Sequence, residues 1–205
     1  MITKMEYIWN FLNRNTAIFY DFETTGLNQY HDDIIEYAFI CDDREISSLI
    51  KTKKELSPKI QQITGINKDM LANAPNMKEE IQKIVDFINY SYGNKFLIAH
   101  NNDGFDKLFL NRIINSYGYT FSNKLKHIDT LLLAKKLLPN IPSYNLKSLL
   151  IYFKIKSKNL HRAIEDTKYL KLVYYKLCEV LSKEIKIEKE IIIANPNIVY
   201  NYLYN

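Results

Sequence analysis

One stretch constrains this chain more than any other: Ile18-Phe19-Tyr20-Asp21-Phe22-Glu23-Thr24-Thr25-Gly26-Leu27. It begins as an apolar strand and ends in a small polar turn closed by a glycine. Side chains at i and i+2 of a strand share a face, so Asp21 and Glu23 project together from the end of a strand that is otherwise hydrophobic. Two unpaired carboxylates are costly there. A bound cation would offset the cost, and hard oxygen ligands favour Mg²⁺ or Mn²⁺ over zinc. Asp-x-Glu alone also fits a solvated strand end, so the metal reading depends on finding further acids.

The rest of the composition narrows the class. A chain of 205 residues with 47% apolar content can bury one sizeable core and is not disordered. The net charge of +5 is too mild to argue for nucleic acid by itself. Cys41 and Cys178 form neither a CxxC pair nor a zinc-ligand spacing, and read as small core residues in a reducing compartment. The N-terminus is charged and lacks the continuous apolar run of a secretory signal. No segment approaches a membrane span. A soluble, intracellular, cytoplasmic protein with no membrane partner is expected.

Periodicity and punctuation give the elements. Met5, Ile8, Trp9 and Leu12 have helical spacing. Strands are expected at about 17–23, 34–41, 45–51, 95–100 and 126–130, the second and third joined as a hairpin at Asp42-Asp43. Ser57-Pro58, Asn67 and Asn76, the last with Glu79 three residues on, read as helix starts, and Gly65 as a helix end. Helices are expected at about 76–93, 105–118, 131–138, 145–153 and 161–183. Residues 185–205 are ambiguous: Ile185 to Glu188 alternates like an edge strand, the rest does not, and a docking tail or loosely packed end fits as well. Strands first, then strands alternating with helices, imply an α/β fold around a mixed sheet.

Three more positions complete a constellation. Asp106 follows the fourth strand in His100-Asn101-Asn102-Asp103-Gly104-Phe105-Asp106, and the carboxyl ends of strands are where open α/β sheets gather ligands. His161 and Asp166 stand at the entrance of the last long helix. On these residues the chain resembles the DnaQ-like 3′–5′ exonucleases of the four-acids-and-histidine (DEDDh) subgroup. The first motif is matched by Asp21, Glu23, Thr25 and Gly26. The second is matched by His100, Asn101, Phe105 and Asp106, and the third by His161 and Asp166. Arg162 occupies the place where the tyrosine subgroup carries its tyrosine. Asn102, Asp103 and Gly104 form a polar variant of a segment that varies in the family. Ile63-Thr64-Gly65-Ile66 and Asp129-Thr130 strengthen the likeness, particularly to proofreading domains of bacterial replicative polymerases. The resemblance covers about residues 15–183.

The resemblance implies a ribonuclease H-like mixed central sheet of about five strands flanked by helices. It also implies an exonuclease domain over 1–184 with a short N-terminal helix, followed by an extension over 185–205 whose removal should leave the site assembled. Nucleoside monophosphates would be released from single-stranded or frayed 3′ ends, more readily DNA than RNA. A DNA polymerase would be an associated partner. Asp21, Glu23, Asp106 and Asp166 would hold two Mg²⁺ or Mn²⁺ ions, and His161 would take a proton from the attacking water. Thr24, Thr25, Gly26, Leu27, His100, Asn101 and Phe105 would contact substrate, with Leu27 wedged beside the terminal base and Phe105 on the terminal sugar or base. An RNA-trimming enzyme of the same fold and a noncatalytic nucleic-acid-binding or polymerase-binding module are the alternatives; all five site residues being present favours catalysis. Asp129 reads as structural, His31 and His127 as surface or satisfied histidines, Glu165 as solvated, and Tyr169, Tyr174 and Tyr175 as packing.

Overall fold

The computed structural model describes residues 14–90, 93–121, 125–158 and 160–205. The N-terminal helix expected at Met5 to Leu12 lies outside them. The first strand β1 (Asn15–Thr24) is central in a five-stranded sheet. It pairs antiparallel with β2 (Ile34–Cys41), which turns at Asp42-Asp43 into β3 (Arg44–Leu49). On its other side β1 pairs parallel with β4 (Asn94–Ala99), and β4 with β5 (Leu125–Asp129). The order β3-β2-β1-β4-β5 is the expected mixed sheet.

Helices cover both faces. Helix α1 (Pro58–Thr64) starts on Ser57, α2 (Lys68–Ala72) on Asn67, and α3 (Met77–Asn89) on the reciprocal Asn76–Glu79 capping box. Each cap satisfies an N–H that the helix cannot. Gly65 closes α1 at φ 69°, where a Cβ would be strained. Then follow α4 (Asp106–Ser116), α5 (Thr130–Leu137), α6 (Leu146–Tyr152) and the long α7 (Ala163–Ile185). The alternation of β1 sorts the two cores. Ile18, Tyr20 and Phe22 face α3 and α4, while Phe19 packs with α5 and α7. Asp21 and Glu23 have the parity of Phe19 and therefore lie on the α7 side.

Residues 185–205, ambiguous in the sequence, contain no strand. The chain leaves α7 at Lys186 in a left-handed conformation and forms α8 (Lys189–Ala194) and α9 (Pro196–Tyr204). Alternation over four residues was too short to arbitrate. Both helices complete the second core, with Ile192 and Val199 fully buried. Tyr200 packs on Phe96 of β4, and Asn195 accepts a hydrogen bond from Asn15 of β1 at 2.7 Å. Burying one such aliphatic side chain contributes about 1.5–3 kcal/mol, a large share of a typical net stability of about 5–15 kcal/mol. A chain ending at residue 184 should therefore melt well below the full chain, by ten degrees or more, or aggregate. Coincident thermal melts followed by circular dichroism would show instead that the tail is dispensable.

Among the described residues no helix is long and apolar enough to cross a membrane. Both cysteines are buried and unpaired.

Candidate active site

The packing of β1 on α7 brings the acids together. Phe19 meets Tyr174 of α7 edge to face, ring centres 5.4 Å apart. From Phe19 to Glu23 is four strand residues, about 13 Å. From Tyr174 back to Asp166 is eight helix residues, about 12 Å. The two lengths match, and ligand atoms of Glu23, His161 and Asp166 lie within 4.8 Å of one another. Asp106 arrives from the far side of β1, at the first turn of α4, where its Oδ1 accepts the Phe22 N–H at 3.2 Å. Among the charges around it, Asp21 feels Asp106 most, then Glu23 and Asp166.

These carboxyls resist ionisation. Burial, and then the charge of Asp106, push Asp21 well above the ordinary carboxylate range. Burial does the same to Asp106, against the Phe22 N–H that favours its charged form. Glu23 is pushed up to about 8 by burial and by Asp166 and Glu36. Asp166 rises to about 6 through burial, opposed by the N–H of His161 at 3.0 Å. Its other oxygen, Oδ1, is buried without a hydrogen-bond partner among the described residues. Four acids held short of ionisation, one with an orphaned oxygen, are a donor set for hard divalent cations. His161 lies at φ 73° just outside α7, its backbone tied to Asp166 and its side chain exposed.

The start of α7 has an anchor that the motifs did not disclose. Arg162 supplies no cap of its own. Glu36, 3% exposed on β2 and paired in register with Glu23, accepts the Ala163 N–H at 2.9 Å and a forked bond from the Arg162 guanidinium, the shorter arm 2.7 Å. An acid inside the apolar run Ile34 to Cys41 was the available signal. Glu36→Gln should keep the backbone bond but lose the ion pair. The expected cost is about 1–3 kcal/mol, below the roughly 3–5 of a fully buried pair because Arg162 is 39% exposed. Catalytic rate should fall along with melting temperature. An unchanged rate beside a lowered melting temperature would show that Glu36 supports the fold but does not place Asp166.

The turn after β1 is built around a second unforeseen acid. Asp32 accepts from the Thr25 hydroxyl at 3.0 Å and the Asn28 N–H at 2.9 Å, the latter chiefly lowering its pKa. A Cβ on Gly26 would stand 2.4 Å from Asp32 Oδ2, so a larger residue would displace that carboxylate from its bonds in the turn. Thr24 Oγ1 donates to the Gly26 carbonyl at 2.6 Å. Leu27 is 83% exposed at the tip and so is no core leucine. Phe105 is half-buried, its ring 4.9 Å from that of Phe109.

The polar segment before Asp106 has a structural purpose. Asn102, fully buried, donates to the carbonyls of Leu97 and Ile128, both at 3.1 Å, and accepts from Tyr20 OH at 2.5 Å. It ties β1, β4 and β5 together beneath the acids. Asn101 adopts a left-handed conformation with its N–H on Asp129, and His100 bonds Thr130 Oγ1 at 3.0 Å through Nδ1. Burial lowers His100 to about 4, which keeps its imidazole neutral. Asp129 accepts from the N–H groups of Asn101, Asp103 and Leu131 and caps α5, in keeping with a structural reading. His127 departs from expectation: its Nδ1 is buried and has no hydrogen-bond partner among the described residues, and burial lowers its pKa to about 4. Glu165 faces Lys168 at 3.6 Å, Tyr169 bonds the backbone of Lys158, and Tyr174 and Tyr175 pack in the second core.

Comparison with known proteins gives the family and the fold. The exonuclease family model RNase_T matches residues 18–174. The PolC-type DNA polymerase III of Thermotoga petrophila is 33% identical over 189 residues, 89% of this chain and 13% of that protein. That of Bacillus subtilis is 35% identical over 161 residues, 76% of this chain and 11% of that protein. The chain thus spans about an eighth of the length of the curated relatives it matches. Among solved structures, exonuclease I superposes with a TM-score of 0.71 at 20% identity, over 81% of this chain and 41% of that one. Escherichia coli exonuclease I in complex with a dA16 oligonucleotide superposes at 0.69 with 18% identity, over 83% of this chain and 41% of that one. These likenesses show the ribonuclease H-like exonuclease fold.

Proposed function

The chain belongs to the RNase_T exonuclease family, and from that premise we infer that it is a metal-dependent 3′–5′ exonuclease acting on single-stranded or frayed DNA ends. One observation carries the reading: four carboxylates from β1, α4 and α7 converge beside an exposed histidine, and burial and mutual repulsion hold them short of ionisation. Asp21, Glu23, Asp106 and Asp166 would hold a pair of Mg²⁺ or Mn²⁺ ions. Such ions, when bound, supply Lewis-acid stabilisation of phosphoryl charge and activation of water.

The chain's own groups do the rest. His161 accepts the proton of the attacking water, its exposed ring free to take it up and release it to solvent. Thr24, Thr25 and Gly26 cradle the terminal nucleotide in a turn made rigid by Asp32. Leu27 wedges beside the terminal base, and the half-exposed Phe105 ring packs on its sugar, contacts that tolerate any base. His100, neutral, and Asn101 line the approach beside β4. The net charge of +5 already counts the four site carboxylates, so cations there leave the surface more attractive to a phosphate backbone. The PolC-type relatives support DNA as substrate and a polymerase as partner.

Labelled DNA and RNA oligonucleotides of one sequence, offered in Mg²⁺ and in Ca²⁺, test this. DNA should be shortened from its 3′ end in Mg²⁺. Ca²⁺ should permit binding with little cleavage, because its looser and longer coordination spoils the placement of water and phosphate. Faster shortening of RNA would transfer the activity to the RNA-trimming class; no cleavage of either would leave a binding module.

A further inference from the structure

Beyond the Thr25 turn lies a second cavity, of about 590 Å³, that the cleavage site does not use. Its walls come from the start of β2 (Asp33, Ile34), the segment after β3 (Ile50 to Lys53), the N-terminus of α3 and the second half of α4 (Arg112 to Tyr117). Its charge is one-sided. Lys51, Lys53 and Arg112 line it against the single acid Asp33, whose carboxylate already accepts from Thr52 Oγ1 at 2.6 Å. Among the described residues none of the three cations makes an ion pair. Lys51 donates to the Ala72 carbonyl, and the Arg112 guanidinium lies 5.3 Å from the Phe109 ring centre, which leaves its edge for a ligand. Ile34, Ile50, Met77 and Ile113 contribute apolar surface, and Tyr117 is 40% exposed at the C-terminal end of α4.

The cavity adjoins the proposed cleavage site. Asp33 is locked to the substrate turn from both sides: its carbonyl accepts the Thr25 N–H at 2.9 Å, and its own N–H donates to Thr25 Oγ1 at 3.0 Å. Along α4, Arg112 is six residues past Asp106, about 9 Å, or two to three stacked nucleotides at about 3.4 Å each. The volume exceeds what one phosphate fills and falls in the usual range of ligand pockets, about 300–1,000 Å³. Cations on opposite walls with an aromatic ring nearby are what a single strand needs, phosphates to the charges and a base to the ring.

We propose that this basic cleft binds the sugar–phosphate backbone of the substrate strand upstream of its terminal nucleotide, so that affinity rises with strand length. The proposal rests on the exonuclease reading, and its test separates the two. Lys53→Glu and the double variant Lys53→Glu/Arg112→Glu are compared with the wild type, thermal melts confirming that they fold. Three probes are used: a p-nitrophenyl ester of thymidine 5′-phosphate, a dinucleotide and a long single-stranded DNA. Turnover is read in Mg²⁺ and binding in Ca²⁺ by anisotropy. Turnover of the ester and the dinucleotide should be unchanged. KM and Kd for the long strand should rise tenfold or more in the double variant. The slope of log K against log salt should shrink by about 0.7 for each cation lost. Lys53 alone, exposed and remote from the core, should give part of the effect. Equal losses on the dinucleotide and the long strand, or none on either, would overturn the cleft, the second result leaving a protein partner as its occupant. If the wild type cleaves no probe, the exonuclease reading fails, and the length dependence of binding still decides the cleft.

Discussion

Asp21→Asn should be inactive in Mg²⁺ and yet, in EDTA at pH 8, melt at a higher temperature than the wild type. The loss of rate should be on the order of 10³-fold or more, beyond the loss of a single oxyanion donor, because the side chain feels the charges of the other acids. The gain in stability has the same origin. A carboxyl raised by burial and like charges holds its proton in the folded protein at pH values where the unfolded chain has released it. Unfolded carboxyls ionise near about 4, whereas Asp166 and Glu23 hold on to about 6 and about 8. In that window the folded state binds more protons, so the metal-free protein loses stability as pH rises from about 4 through about 8. Replacing Asp21 with a neutral amide removes one carboxyl whose proton uptake on folding costs stability, and makes the decline shallower. The advantage should be small at pH 5, where the cluster is still largely protonated, and largest at pH 8. Relief of about 1–2 kcal/mol corresponds to a rise of roughly 2–8 °C for a domain of this size. Saturating Mg²⁺ should reverse the order, since it stabilises only the chain with all its ligands. Melting curves in EDTA and in Mg²⁺ at both pH values decide this. A variant that is less stable than the wild type at pH 8 without metal would show that the acids are not in conflict.

His161→Asn should lose the chemical step and keep binding. The expected fall is roughly 10²–10⁴-fold in single-turnover rate, the range for a general base, with oligonucleotide affinity in Ca²⁺ and metal affinity nearly unchanged. Asparagine is a better substitution than alanine because residue 161 has φ 73°, a conformation that asparagine tolerates and alanine resists. The geometry also sets up the opposing result. The His161 ring lies within 4.8 Å of ligand atoms of Glu23 and Asp166, close enough to share a cation. If metal affinity falls together with rate, His161 is a ligand and the base lies elsewhere.

Most of the frame was legible because it is written in local signals. Polar caps at Ser57, Asn67, Asn76 and Asn145 start helices where the sequence places them. The period-two run of β1 states which side Asp21 and Glu23 face. What was not legible depends on partners far away in sequence. Glu36 as the anchor of α7, 127 positions from Ala163, and Asn102 as the clamp on Tyr20, 82 positions away, could not be told from an ordinary acid and an ordinary loop amide. Asp32, only a few residues from Gly26, was missed because no short pattern tells a carboxylate folded back into a turn from one in solvent. The tail was not legible for another reason. Ile185 to Glu188 alternates over too few residues to tell strand from helix, and the face of the sheet left open beside α7, which Ile192 and Val199 cover, is built by residues far away in sequence.

That open face bears on how the chain folds as it is made. The proposed catalytic residues have all been synthesised once Asp166 appears, but the cover that α5 and α7 begin over this face of the sheet is completed only when Val199 and Tyr200 emerge. The side-chain oxygen of Asn15, at the start of β1, accepts from Asn94, but its amide N–H meets Asn195 only 180 positions later. Domains form largely from the N-terminus during synthesis, and exposed apolar faces are where partly made chains aggregate. Helices α8 and α9 therefore join late, onto a sheet whose proposed site residues precede them in the chain. Tyr204, whose hydroxyl donates to Asp103 at 3.2 Å, ties α9 to the segment from which Asp106 follows.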